Sequence, residues 1–293
     1  GEGAQAGGRP RFEGGDMTWR RHLQSVGITL ALAVFVVWTI APIVWMIISS
    51  LIKSKALTSR PPNLAPESWT LNKYGEVLTS GKSLAPALLH STVISLSTTL
   101  IALALGAAAA YALARLSIPG GDKDILLVLA TQMFPGIVIV IPLFLVMSKL
   151  GLIDTLHGLT RVYLSYSLPI VIWILKGFFE AIPRDLERAA AVDGASAWQT
   201  FRLVVLPISL PPLFAAGVFA FIESWNEFLF AVILTRMHAK TVPIAISEFS
   251  GQYQTAVGQM LAAATLACVP VVLLAIVFRK TVLTGFAEGA IKG

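Results

Sequence analysis

The sequence predicts an all-α integral membrane protein of about six transmembrane helices, with a short cytoplasmic helical segment between spans 4 and 5. Three observations predict it. Of 293 residues, 56% are hydrophobic and only 13% are charged, against about 25% charged in an average soluble domain. The mean hydropathy is +0.76. The apolar residues also gather in long blocks, as required of helices that need roughly 20 apolar residues to cross about 30 Å of hydrocarbon.

Residues 1–22 begin glycine-rich and polar, and Met17 stands just before Thr18-Trp19-Arg20-Arg21. This stretch reads as a cytoplasmic N-terminal tail. The first apolar block, 23–51, is too long for the apolar region of a cleavable signal and reads as the first span. Further spans are expected at 86–116, 124–148, 159–181, 207–235 and 259–284. The membrane domain then covers 23–284, and 285–293 forms a cytoplasmic C-terminal tail. Prolines fall in or beside these blocks at Pro42, Pro135, Pro142, Pro169, Pro211, Pro212 and Pro270. Membrane helices tolerate them because neighbouring groups re-satisfy the freed backbone atoms.

Six spans place both termini on one side. Thirteen of the 22 Lys and Arg fall on that side, Arg20 and Arg21 directly before the first span among them. The positive-inside bias therefore puts both termini in the cytoplasm. Segments 52–85, 149–158 and 236–258 face outside, and 117–123 and 182–206 face inside. The net charge of +6 then serves topology and anionic headgroups, with no call for nucleic acid. The single cysteine, Cys268, sits in an apolar block. It permits no intrachain disulfide and forms no metal-ligand spacing, and it reads as a small buried apolar residue.

The most informative stretch is the cytoplasmic loop 182–206. Pro183 suits a first helical turn, and Asp185 and Glu187 favour the positive end of that helix. Gly194 suits a left-handed stop. Ser196 followed by Gln199 predicts a capping box for a second short helix. Ala189, Ala190 and Ala191 make the first helix slim, with charge at Arg184, Glu187 and Arg188. Such a helix fits a groove on another protein, or lies as an ordinary interfacial helix.

This loop resembles the EAA loop of binding-protein-dependent ABC importer permeases, which reads Glu-Ala-Ala, three residues, Gly, nine residues, Ile-x-Leu-Pro. Ala189-Ala190, Gly194, Val204 and Leu206-Pro207 match at that spacing. The motif's Glu position falls on Arg188, with Glu187 one place earlier, about 100° away around the helix. Within the family the chain is most similar to MalG-type permeases of carbohydrate uptake. The narrower likeness lies in Ala190-Ala191-Val192-Asp193-Gly194-Ala195, Trp198-Gln199-Thr200-Phe201-Arg202, Trp225-Asn226-Glu227-Phe228 and the ending Gly289-Ala290-Ile291-Lys292-Gly293.

The resemblance implies a multi-pass permease subunit of a bacterial cytoplasmic (inner) membrane, forming half of a translocation pathway with a second, MalF-type permease. It also implies two ATPase subunits that bind ATP and Mg, and an extracytoplasmic sugar-binding protein. The loop would be the coupling helix, with Glu187, Arg188, Ala189, Ala190, Asp193 and Gly194 at the ATPase contact. The substrate would be a di- or oligosaccharide such as trehalose or maltose. The chain itself is expected to be non-catalytic, without cofactor or metal. Gly75 and Gly81-Lys82-Ser83 have five residues between the glycines where a P-loop has four. His90 and Ser91 have nothing to orient them as a catalytic pair.

Charged residues deep in a span face a cavity or a partner. In the fifth span Glu223, Asn226 and Glu227 are spaced to share one helical face. They read either as acceptors along a wet translocation pathway or as an inter-subunit contact or gate. Gln132, early in the third span, would line the pathway or hydrogen-bond between helices. The external segment 236–258, with His238, Lys240, Glu248, Gln252, Tyr253 and Gln254, is expected to face the binding protein. An ion-gradient-driven secondary transporter is the alternative; internal repeats are common in such proteins, and none is evident here.

Overall fold

The computed structural model describes residues 14–79, 83–116, 121–251 and 256–290. Gln252, Tyr253, Gln254, Gly81, Lys82 and the last three residues lie outside them. The described residues are helical throughout, apart from loops and one isolated antiparallel bridge between Ile52 and Trp69. The chain divides into two compact units, Gly1–Ser49 and Ser50–Gly293.

The first unit's described part lies wholly within helix α1 (Gly14–Leu51), which opens inside the stretch expected to be a tail. Its large apolar side chains are exposed on every face, with Trp38 81% and Phe35 66% accessible. A surface of this kind stands in lipid or against another protein.

The second unit opens with short elements: α2 (Ser54–Leu57), a 3-10 turn at Pro66–Ser68 and α3 (Asn72–Thr79). Then comes α4 (Leu84–Arg115), whose N-cap Ser83 accepts from the Ala85 N–H. The expected third span is broken into α5 (Gly121–Thr131) and α6 (Gly136–Lys149). The physical reason is local. Residues 132–134 tighten into i→i−3 bonds, Gln132 N to Leu129 O and Met133 N to Ala130 O among them. Pro135 then brings no N–H of its own and stands extended as the N-cap of α6. Helix α7 (Leu156–Ala181) follows, capped by Thr155.

The loop expected at 182–206 forms α8 (Arg184–Val192), α9 (Ala197–Thr200), a π-helical turn at Phe201–Val205 and α10 (Leu206–Ile208). Then the chain bends by 77° into α11 (Leu210–Asn226). Pro211 and Pro212 open the new helix, and neither has an N–H to continue the ladder across the bend. The block expected as the fifth span, 207–235, thus holds parts of three helices, α10, α11 and α12, with breaks between them. Helix α12 (Leu229–Leu234), α13 (Val242–Ser247) and α14 (Val257–Ala290) complete the chain.

By length and apolarity, four helices among the described residues can cross a membrane: Gln24–Leu51, Leu84–Arg115, Leu156–Ala181 and Val257–Arg279. Counting the bent pair as one span makes five. Helices α5 and α6, with 11 and 14 residues, are each shorter than the roughly 20 residues of a span.

The second unit's core is built on α4, α7 and α11. One cluster joins Ala102, Ala107 and Ala110 of α4 to Val171, Leu175 and Phe179 of α7 and Ala216 and Ala220 of α11. Small residues let the backbones approach. A Cβ on Gly106 would stand 2.8 Å from Val171 Cγ1, and one on Gly217 would stand 3.0 Å from Leu103 Cδ1. Phe201 and Val205 of the π turn belong to the same cluster, so the loop is rooted in the core it leaves.

Candidate functional site

Two places hold the residues singled out in the sequence. The first is the loop from α8 to α9. Helix α8 ends as its chemistry dictates: Gly194 takes φ +85°, and the N–H groups of Asp193, Gly194 and Ala195 bond back to Ala189, Ala191 and Ala190 carbonyls. Ser196 and Gln199 form the reciprocal capping box, Gln199 N to Ser196 Oγ at 3.3 Å and Ser196 N to Gln199 Oε1 at 2.8 Å. The tip exposes Val192, 88% accessible, and Trp198, beside exposed Ala189, Asp193 and Gly194, with Ala190 half-buried.

The charges of α8 separate by face. Arg188 Nη1 pairs with Asp185 Oδ1 at 2.9 Å, and both side chains stand in solvent. Glu187 points the other way. It forms an ion pair with Arg115 Nε at the end of α4, and Tyr111 Oη donates to its other oxygen at 3.0 Å. Arg115 Nη2 also donates to the Ile182 carbonyl at 2.8 Å, where α7 ends. The side chains of Arg115 and Glu187 are only 7% and 17% accessible. The Tyr111 ring meets Phe179 edge-on at 5.9 Å and Phe201 at 4.8 Å. The sequence reading grouped Glu187 with Arg188; the structure separates them. It also missed Tyr111 and Arg115, whose i,i+4 spacing at the end of an apolar helix was the available signal.

The second place surrounds the end of α11. The expectation that Glu223, Asn226 and Glu227 share one helical face needs correction. Asn226 is the last helical residue and Glu227 is already extended, with ψ 127°. The Glu227 carboxylate turns forward as a cap for α12, accepting from Phe230 N at 2.8 Å and Ala231 N at 3.1 Å. Glu223 accepts from Ser167 Oγ of α7 at 3.0 Å. Both acids line a cavity of about 80 Å³ with Tyr163, Tyr166, Ser167, Ser224 and Phe230. It has room for a few waters, not for a sugar ring.

Asn226 faces elsewhere. Its Nδ2 donates to Ile222 O at 3.0 Å, which leaves the amide oxygen as an acceptor. It lines a wider cavity of about 470 Å³ with Trp225, Val242, Pro243, Ala264 and Cys268, within the ~300–1,000 Å³ of small-molecule sites. Cys268 is exposed at this cavity instead of buried. Gln132 sits in the break between α5 and α6, and its Nε2 donates to the Tyr166 carbonyl of α7 at 3.0 Å, an inter-helix bond.

Near the start of α4, His90 Nδ1 meets the Lys240 carbonyl at 3.1 Å and Ser91 Oγ accepts from Val242 N at 2.8 Å. Both dock the segment after α12 onto α4. Asp154, which the sequence reading passed over, organises that segment further. Standing at φ 57°, it accepts the N–H groups of Arg236, Met237, His238 and Ala239 at 2.9–3.1 Å. Burial pushes its carboxyl up, but the four donors outweigh this and hold it down at about 2. Lys240 and Glu248 pair at 2.7 Å in the same segment. Among the described residues no group of three or more His, Cys, Asp or Glu could hold a metal ion.

Residues 125–284 match the family described as binding-protein-dependent transport system inner membrane component. The chain is 38% identical over 259 residues to the trehalose transport system permease protein SugB of Mycobacterium tuberculosis, covering 87% of this chain and 93% of that one. It is 36% identical over 255 residues to the trehalose/maltose transport system permease protein MalG of Thermococcus litoralis, covering 86% and 91%. In structure it resembles a chain of a bacterial ABC transporter involved in the import of the acidic polysaccharide alginate. The TM-score is 0.73 at 22% identity, over 93% of this chain and 99% of that one; at that identity the likeness speaks for the fold alone.

Proposed function

The chain belongs to the binding-protein-dependent transport system inner membrane component family, and from that premise we propose that it is the permease subunit of an ATP-driven importer of a di- or oligosaccharide. Trehalose and maltose are the first substrates to test, since relatives at 38% and 36% identity carry those names. The chain forms half of the pathway with a MalF-type permease. Two ATPase subunits, which hold ATP and Mg, dock on the α8–α9 loop, and an extracytoplasmic binding protein delivers the sugar to the opposite face. Both termini lie with the loop in the cytoplasm.

The observation that carries this reading is the loop itself. A slim helix, a left-handed glycine and a capped second helix present Val192, Trp198 and the Arg188–Asp185 pair outward, while its base is tied to α4 and α7. An exposed apolar tip rimmed with charge suits a groove on a protein partner. ATP-driven movement of the ATPases would then tilt α8 and, through it, the helices that border the pathway. Asn226 is the pathway residue we favour, since it offers a hydrogen-bonding group to the larger cavity; Glu223, Glu227 and Gln132 brace the helices around it.

The test is purification from membranes through a tag on this chain, identification of partners by mass, and uptake by reconstituted liposomes. Recovery of an ATPase and a second permease, with ATP- and binding-protein-dependent sugar uptake, is the expected result. Recovery of this chain alone, with uptake driven by an ion gradient, establishes a secondary transporter instead.

A further inference from the structure

We propose that Glu187 is a positioning residue and not an ATPase contact: with Arg115 and Tyr111 it forms a half-buried strut that makes α8 move with the adjoining ends of α4 and α7. The proposal rests on the importer reading above. Glu187 and Arg188 are neighbours, so their side chains diverge by about 100° around the helix. Arg188 stands 75% accessible, whereas the Glu187 side chain is 17% accessible and its partner Arg115 only 7%. A partner approaching the outer face of α8 meets Arg188 and Asp185.

The strut joins α8 to the ends of α4 and α7 and to the π turn. One guanidinium holds the Glu187 carboxylate of α8 with Nε and the Ile182 carbonyl beyond α7 with Nη2. Its planar, forked donors suit two acceptors at once, which a lysine ammonium would not reproduce with the same geometry. Tyr111, one turn before Arg115, bonds the second Glu187 oxygen and packs its ring on Phe179 of α7 and Phe201 of the π turn. Helices α4 and α7 are themselves locked by the close approach at Gly106 and Val171. Force applied to α8 therefore reaches two membrane helices through a charge pair that is largely shielded from water. A hinge at this point would let α8 swing without moving them.

The test uses the whole complex with its ATPase, permease and binding-protein partners. Glu187→Ala and Arg115→Ala should each recover ATPase subunits at the unaltered chain's stoichiometry. Sugar moved per ATP hydrolysed should fall by about tenfold in each, a change in coupling of the size that contacts along a transmission route produce. The double variant should lose less than the two single effects combined, because the Glu187–Arg115 contact is common to both. If Glu187→Ala is recovered in low yield, Glu187→Gln, which keeps the shape and removes the charge, carries the same measurement. Loss of the ATPase from the Glu187 variant alone makes Glu187 a docking residue and overturns the strut. Unchanged sugar per ATP in both single variants overturns it too. An unaltered chain that recovers no ATPase overturns the importer reading itself, and the strut with it.

Discussion

Replacing Gly194 separates docking geometry from folding. The residue holds φ +85°, and a Cβ built there meets nothing within 4 Å. Space is therefore not the obstacle; backbone conformation is. An L-residue in the left-handed region costs roughly 1–2 kcal/mol, and Asn tolerates it better than Ala or a β-branched residue. The strain sits at an exposed tip, so the loop relieves it by leaving the geometry in which Asp193, Gly194 and Ala195 N–H groups close the end of α8. A cost of about 1–2 kcal/mol lowers the population of the native loop about 5- to 30-fold relative to relaxed forms. Uptake by reconstituted complexes should fall in the order Gly, Asn, Ala, Val, with Val lowest. Membrane yield and thermal stability should stay level across the series, because no packed neighbour is disturbed. A Gly194→Val complex that takes up sugar at the unaltered rate would refute the reasoning.

Three further outcomes follow from the geometry. Glu227→Ala removes the acceptor of two N–H groups at the start of α12 and should cost about 1–2 kcal/mol, seen as a lower melting temperature in detergent and reduced uptake; an unchanged melting temperature would remove the capping role. Asp154 is depressed to about 2 from an ordinary 3.8, so its stabilisation is full above about 4 and is lost as pH falls through about 2. Asp154→Asn should raise amide exchange at 236–239 about fivefold at pH 7, after discounting for a partly exposed carboxylate, and equal exchange would show that the charge does not hold the turn. Gly106→Ala drives Val171 aside, since the new Cβ would stand 2.8 Å from Val171 Cγ1; overpacking of about 1–3 kcal/mol should appear as lower thermal stability of the purified chain.

The fold class was legible because lipid leaves few choices: long apolar blocks must be helices, and α1, α4, α7 and α14 stand where such blocks predicted them. The loop was legible because its signals are local. Gly194 and the Ser196–Gln199 box each act within one or two turns and do in the structure what their chemistry requires, while Pro183 stands one residue before α8, extended at ψ 128°. The breaks at 132–135 and 227–228 were not. Apolarity carries no sign of where a helix stops, and Pro135 and Glu227 mark ends only once the next helix is seen to start behind them. The partnership of Glu187 with Arg115 spans 72 residues of sequence, a distance that spacing rules on one helix cannot bridge. The same limit hid Asp154, whose four donors lie 82 to 85 residues away.

The central claim, that the tip of the α8–α9 loop is the face that takes the ATPase, is tested most directly by cross-linking. In a Cys268→Ser background, a single cysteine is placed at Val192, 88% accessible at the loop tip, or at Met237, 76% accessible in the turn that Asp154 holds. Purified complexes are then treated with a short bifunctional thiol reagent. The account predicts that the Val192 position links to the ATPase subunit and the Met237 position does not. A Met237 position that links to the ATPase, with none at Val192, would contradict both the docking face and the orientation of the chain in the membrane.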